Sequence, residues 1–536
     1  MPPPYSGAEM AGAEGERSDR GGRATAARAL HSAKAAALGT AAVVAWAAWR
    51  AAVDLDPRSL WKDDAWVVAL ARAADWSAWL ASPSSAPPSF KSLVGLALHM
   101  GGDLELAAQA VPFALGLVAA AAVGWLAFRI TTNAAVAVLA AAFVAGDPVF
   151  LIHMTRVKPY TADVAAAAAV GIAFDALLRR TRPRELWIFV GVCALALALS
   201  SLALFTVGAA AAVAAPLVWR CAATRRHRAA AGAALAALVA AVAGVSLAAP
   251  GFEQLRDFWQ GRYLQVEQPL RTGAALARWV DWFVARLVHT GRVHTGPLPG
   301  AHAAGYLLAG AGALQLWLSG RRRHLAVGAL VVAGFWAASA LGRIPLGVGR
   351  VETFLLPYGA VLLASAAALA ERARDARVAP TVGVALLALA AVQFPSPRAT
   401  AYPREDAAPI VARLVHTLRP DDGLWTNLLG TWALGVYGPW ELAFAPNSRL
   451  GAPHPVPRLA HFAIFDLAAP GRGQPPPATA RVVLFVCYEP STALAGPGSR
   501  LEARGYHLEH EQRARACAFQ VFDRDDASSM PEVRPR

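Results

Sequence analysis

Residues 150–165 read F-L-I-H-M-T-R-V-K-P-Y-T-A-D-V-A, and the fold turns on how this stretch is read. Apolar runs flank it, near 133–152 and 161–178. Each approaches the roughly 20 residues that cross a bilayer core as helix. Between them stand Arg156, Lys158, Pro159, Tyr160 and Asp163. Charges and a proline in that position predict two spans joined by a short turn at one membrane face.

Similar runs recur near 33–53, 107–130, 185–201, 203–219, 229–249, 301–319, 323–341, 353–370 and 379–395, which predicts about eleven spanning helices. Of the 536 residues, 56% are hydrophobic and 16% charged, against about 45–50% and 25% in a soluble domain. The expected architecture is an all-α polytopic membrane bundle with a small C-terminal extracytoplasmic α/β domain. Residues 1–32 read as a disordered cytoplasmic tail, 33–395 as the membrane domain with external loops 54–106 and 250–300, and 396–536 as the α/β domain.

The short loops 179–184, 220–228, 319–324 and 371–377 are rich in Arg. Counting spans puts them on one side together with the N-terminus. The positive-inside rule makes that side the cytoplasm, in a multi-pass plasma-membrane protein. A net charge of +14 therefore follows topology, and nucleic-acid binding is not expected. The stretch 153–160 then faces outward, where Arg156 and Lys158 need a reason other than anchoring.

In the tail, 403–418 reads as an amphipathic helix, 480–488 and 516–523 as strands, and 491–504 as helix-like. None of the four cysteines is in C-x-x-C spacing. Cys487 and Cys517, both in the exported part, can pair.

The outer face carries the chemistry. In D-L-D-P-R-S-L-W-K-D-D-A-W (54–66) the adjacent Asp63 and Asp64 raise one another's proton affinity, which suits a general base. The competing reading is a solvated turn with Asp64 as a helix cap. Pro87 and Pro88 open a short interfacial helix, 89–100. Arg343 and Arg350 flank Gly347 and Gly349 just before a helix, a phosphate-binding pattern, or else side chains that snorkel to headgroups. His289, His294 and His302 lack metal-site spacing. Trp259, Tyr263, Trp279 and Trp282 suit sugar stacking or an interface belt.

These motifs, in this order and on one face, resemble the bacterial integral-membrane glycosyltransferases of the GT-C superfamily, in the protein O-mannosyltransferase and aminoarabinose-transferase-like branch. Asp63-Asp64 matches the acidic pair of the first external loop, and Pro87-Pro88 the Pro-Pro segment. Glu105 matches the acid before the second helix, Lys158-Pro159-Tyr160 the basic-x-Pro-Tyr-like loop, and R-V-E-T-F-L-L-P-Y (350–358) the late Arg-Leu-Leu-Pro segment. The resemblance covers roughly 50–360. It departs where the family usually has Asp-Glu for Asp63-Asp64, and Arg where Gln109 stands.

The resemblance implies inverting transfer of a sugar from a polyprenyl-phosphate donor to an acceptor hydroxyl on a cell-envelope glycan, lipid or protein. Asp63 would be the base and Asp64 would orient it or the acceptor. Arg156, Lys158, Arg343 and Arg350 would meet the donor phosphate, with Trp66, Glu105 and Tyr160 lining the substrate pocket. No cofactor is expected, with a divalent cation left open. A transporter or flippase of lipid-linked precursors and a non-catalytic scaffold of the same fold are the alternatives.

Overall fold

The computed structural model describes residues 8–55, 60–72, 86–180, 182–221, 224–247, 273–295, 301–341, 344–346, 350–372, 407–439, 441–444, 453–456, 461–465, 476–488, 491–515 and 517–524. The chain opens with α1 (Ala8–Asp54), α2 (Lys62–Arg72), α3 (Pro88–His99) and α4 (Leu104–Thr131). Next come α5 (Ala134–Gly146), α6 (Pro148–Met154), α7 (Tyr160–Arg179), α8 (Pro183–Leu199), α9 (Ala203–Cys221) and α10 (Arg225–Leu247). The bundle is completed by α11 (Gly273–Thr295), α12 (Ala301–Leu318), α13 (Arg322–Ala340) and α14 (Leu356–Arg372).

Every expected apolar run up to 353–370 holds a helix; the last, 379–395, lies outside the described residues. Among the described residues, five helices are long and apolar enough to cross a membrane, six if a bent pair counts as one span. The expected count of about eleven is not reached by that measure, partly because helices such as α8, with 17 residues, are short. Residues 8–32, expected as a disordered tail, are helical and continuous with the first span. Ala, Glu and Arg recur there, and all three favour helix.

The run 133–152, expected as one span, is instead two helices bent by 69°. Asp147 and Pro148 cause the break. The Asp147 carboxylate accepts from the Phe150 amide at 2.8 Å, starting α6 afresh, and Pro148 has no N–H for the preceding turn. The weakly marked boundary within 185–219 falls where Ser200 Oγ accepts from the Ala203 amide at 2.9 Å. Asp163 lies inside the first turn of α7 and hydrogen-bonds Ser200. Gly312 of α12 lies so close to the Leu362 carbonyl of α14 that an added Cβ would collide with it, the small-residue contact that membrane helices use to approach closely.

One end of the bundle is knotted by ions. Arg129 Nε and Arg179 Nε each donate to Asp175 Oδ2 at 2.8 Å, and His324 Nε2 lies 3.3 Å from Asp175 Oδ1. The 28 residues of α4 carry the chain about 40 Å from this end to the other, where Leu104 adjoins α2 and α3. The Asp163–Ser200 bond puts the α8–α9 turn at that other end, so the end of α9, one helix later, returns to the ionic end. Arg179 and His324 stand there as well.

The C-terminal part is an α/β domain. It comprises α15 (Ala407–Thr417), β1 (Gly423–Asn427), α16 (Leu428–Tyr437), β2 (Glu441–Phe444), β3 (Pro453–Val456) and β4 (His461–Phe465), followed by β5 (Arg481–Cys487), α17 (Ala495–Glu502), β6 (Tyr506–Arg513) and β7 (Cys517–Arg524). The main sheet has the order β4-β1-β5-β7-β6, with β1 parallel to both neighbours and β7 antiparallel to both of its own. Period-2 alternation splits β5 between two cores. Val483, Phe485 and Cys487 face one, and Val482, Leu484 and Val486 face the other. Cys487 and Cys517 stand opposite each other in the ladder and form a disulfide.

The domain does not hang free of the bundle. A single apolar core joins Val67 and Val68 of α2, Phe90 and Val94 of α3, Ile410 and Leu414 of α15, Leu434 of α16 and Phe519 of β7. The helix α3 is buried on that side at Phe90, Lys91 and Val94, while Leu96 and Met100 are exposed. Burial pushes the Lys91 ammonium down to about 8.

Candidate active site

Asp63 and Asp64 lie in the first turn of α2, where unpaired backbone amides favour negative charge. Adjacent helix positions point about 100° apart, and the two carboxylates have different surroundings. Asp64 is 1% exposed and Asp63 25%. The backbone amides of Asp64 and Ala65 both bond to the Trp61 carbonyl, at 2.9 and 2.8 Å.

Three cations converge on the pair. Arg156 Nη1 is 3.4 Å from Asp64 Oδ2. Lys158 Nζ is 3.9 Å and Arg350 Nη1 3.4 Å from Asp63 Oδ2. The turn 155–159 supplies the first two, and the bend at Asp147–Pro148 steers that turn over α2. The short 3-10 segment Val351–Leu355 that leads into α14 presents Arg350. Aromatic rings back both cations of the turn. The Arg156 guanidinium lies 5.6 Å from the Trp61 ring centre and Lys158 Nζ 5.5 Å from that of Trp66, within the range of a cation–π contact.

Burial dominates the electrostatics. It lifts the Asp64 carboxyl to about 6, against the downward pull of Arg156 and Lys158. It also pushes the Lys158 ammonium below its ordinary value, although Asp63 and Asp64 oppose this. One oxygen of Asp64, Oδ1, is buried with no hydrogen-bond partner among the described residues.

Behind the acids lies a layer from the C-terminal domain. Trp66 stacks on Trp432 with ring centroids 4.9 Å apart. The Tyr437 hydroxyl accepts from the Leu60 amide at 2.5 Å and hydrogen-bonds Glu105. Burial pushes the Tyr437 phenol well above its ordinary value, so it keeps the proton that it donates to the carboxylate. The Tyr488 hydroxyl donates to the Leu60 carbonyl at 3.2 Å. Arg72, at the other end of α2, donates to the Gly435 carbonyl at 3.0 Å and also to that of Val436.

The structure thus brings Asp63, Asp64, Trp66, Arg156, Lys158 and Arg350 together. Glu105 meets Tyr437. Tyr160 packs its ring against His153, centroids 4.4 Å apart. Arg343, Gly347, Gly349, Trp259 and Tyr263 lie outside the described residues. Trp282 packs against the core of α7 to α9. In 425–432, Trp425 is core, 1% exposed. Among the described residues no three His, Cys, Asp or Glu side chains gather as a metal site would require.

Sequence reasoning missed His153, Trp61, Tyr437 and Tyr488. His153 stands in the quoted stretch itself, close enough to feel the charges of Arg350, Arg156 and Lys158. The tyrosines are 377 and 428 residues from Leu60, so no local pattern announces them.

An apolar cavity of about 750 Å³ opens between the spans, lined by Leu126, Phe143, Tyr306, Leu355, Leu356 and others, and reaching Glu352. Glu352 is two positions along the chain from Arg350; the lining also takes in His324 of the ionic end, and Asp63, Lys158 and Arg350 are not part of it.

No protein-family model and no curated protein matches this chain. Solved structures do. ArnT from Cupriavidus metallidurans, bound to undecaprenyl phosphate, is 14% identical, with 90% of this chain and 97% of that chain covered and a TM-score of 0.51. The Archaeoglobus fulgidus oligosaccharyltransferase in its apo form is 14% identical, covering 74% of this chain and 64% of its own, with a TM-score of 0.46. The mycobacterial arabinofuranosyltransferase AftD is 13% identical, covering 90% and 39%, at a TM-score of 0.42. This chain is a multi-pass membrane protein with the fold of the GT-C glycosyltransferases.

Proposed function

We propose that the chain transfers a sugar from a polyprenyl-phosphate donor to an acceptor hydroxyl, with inversion at the anomeric carbon. One observation carries this reading. An accessible carboxylate, Asp63, is shared by Lys158 and by Arg350, and Arg350 is two positions along the chain from Glu352, which lines an apolar cavity between membrane helices. An isoprenoid tail suits such a cavity, and in this reading its phosphate lies on the Glu352 side, toward Arg350 and Lys158. The undecaprenyl phosphate bound by the similarly folded ArnT supports the same class of donor.

The chemistry follows from the charges. The bond between the anomeric carbon and the phosphate oxygen breaks, and its electron pair leaves with the phosphate. Arg350, Lys158 and Arg156 neutralise that charge. In the resting state Lys158 and Arg350 sit on Asp63 at 3.9 and 3.4 Å, long for such pairs. Donor phosphate competes for the same cations and releases Asp63 to the acceptor. The acceptor oxygen attacks the anomeric carbon from the opposite side, and its proton passes to Asp63. A base must reach the hydroxyl that it deprotonates, and only Asp63 of the pair is open enough. Asp64, buried against Arg156, holds the turn 155–159 in place. Arg343 is a further candidate for the phosphate. In this scheme the Arg and Lys side chains carry the leaving group's charge, and a divalent cation beside them is left open. The positive-inside rule puts the basic end of the bundle in the cytoplasm and the acidic pair, with the α/β domain, outside.

The test uses purified protein in nanodiscs, a panel of radiolabelled polyprenyl-phosphate sugars, and crude envelope acceptor or water. Turnover with one donor, lost in Asp63→Asn with donor binding retained, supports the reading. Absence of binding by every donor sinks it and favours a transporter or scaffold.

A further inference from the structure

We infer that the C-terminal domain positions the acidic pair, through two tyrosine hydroxyls that grip the backbone of Leu60. In its effect on turnover this rests on the transferase reading above; in its mechanics it does not. Tyr437 and Tyr488 take both polar groups of one peptide residue, the amide at 2.5 Å and the carbonyl at 3.2 Å. Leu60 is three positions before Asp63. The next residue, Trp61, receives the amides of Asp64 and Ala65, so a shift of Leu60 moves the first turn of α2 and both carboxylates with it.

Each tyrosine is itself held. Tyr437 ends α16 and donates a hydrogen bond to Glu105 of α4, which leaves its oxygen lone pairs to accept from Leu60. Tyr488 follows β5 with φ of 61°, a backbone state that non-glycine residues seldom adopt. The residue before it is pinned on both sides by one side chain. Asn427 Oδ1 accepts from the Cys487 amide at 3.2 Å, and Asn427 Nδ2 donates to the Cys487 carbonyl at 3.1 Å. The disulfide to Cys517 anchors the same residue. Glu105 thus serves the acids through Tyr437, as a positioning residue.

Simple docking of a domain needs apolar contact, which Trp66 on Trp432 and the shared core already provide. The two hydroxyls add something different, a directional hold at the one residue that leads into the acids. Removing a hydroxyl while keeping the ring therefore separates the two roles.

The experiment compares Tyr437→Phe, Tyr488→Phe and the double variant with wild type, as full chains in nanodiscs. Tyr506→Phe is the control, because that hydroxyl bonds the Thr479 carbonyl inside the domain at 2.5 Å and touches nothing of α2. The first readout is hydrogen exchange of a peptide spanning 60–66. Loss of one hydrogen bond predicts about tenfold faster exchange there in each tyrosine variant, and none in the control. The second readout is kcat and KM with the working donor. The expected result is kcat lower by about tenfold with donor KM unchanged. Unchanged exchange at 60–66, or an equal loss of kcat in Tyr506→Phe, overturns the inference. Wild type inactive on every donor refutes the transferase reading alone, and the exchange data still decide whether the grip exists.

Discussion

Trp66 lies flat on Trp432, the two ring planes 3° from parallel and their centroids 4.9 Å apart. The first ring also carries Lys158, 5.5 Å above its centre. One stacked pair therefore joins α2, the C-terminal domain and a cation of the site.

Trp432→Ala removes the partner ring and leaves a void in the shared core. Large-to-small aromatic changes of this kind cost about 3–5 kcal/mol. Thermal unfolding is expected to show that loss, with Trp432→Phe falling between wild type and the alanine variant. Equal stability of all three proteins would mean that the stack bears no weight.

Arg350→Ala removes one of the cations that face Asp63 and that the proposed function assigns to a donor phosphate. Such contacts are worth about 1.5–3 kcal/mol, so binding of a short polyprenyl phosphate is expected to weaken about tenfold or more. Arg350→Lys is expected to recover part of it, because charge returns without the planar fork. Titration of the lipid phosphate, without sugar, is the measurement.

Asp64 gives a pH signature. Its carboxyl stands at about 6 against an ordinary 3.8, so the folded protein holds this proton more tightly than the unfolded chain. That contribution to stability is complete below about 3.8 and is lost as pH rises through about 6, a change of about 3 kcal/mol at the limit. Wild type is expected to lose more melting temperature between pH 4.5 and 7.5 than Asp64→Asn does. Identical pH slopes in the two proteins would remove Asp64 as the cause.

Asp175→Asn tests the ionic end. The carboxylate is fully buried and holds Arg129, Arg179 and His324. Breaking such a cluster by removing one partner costs about 3–5 kcal/mol. The melting temperature is expected to drop, while donor KM in the folded fraction stays at the wild-type value, because the site is a full span away.

Hydropathy and spacing made the bundle legible because a bilayer imposes length and polarity on each span. The shared face of Asp63, Lys158 and Arg350 was legible too, since charges have few places to stand beside a membrane. Local pattern did not show the bend at Asp147–Pro148, although G-D-P is a plain breaker signal. An apolar run masks it when spans are counted by hydropathy alone. The count of spans suffered for the same reason, since apolar length does not reveal a helix that stops short. β1, β4 and β6 escaped notice because short strands carry little periodicity, and β6 is exposed along most of one side. The grip on Leu60 was beyond reach, for it joins residues some 400 apart.

The shared core also sets an order of assembly. Val67, Val68, Phe90 and Val94 find their partners in α15, α16, β5 and β7, which leave the ribosome some 400 residues later. At about 5–20 residues per second that is roughly 20–80 s during which the apolar side of α2 and α3 has nothing to cover it. The first loop is synthesised early and must wait, held at the membrane surface or by a chaperone. Asp63 and Asp64 reach their final places only when the last strand closes. The placing of the two acids is thus one of the last events of folding rather than one of the first.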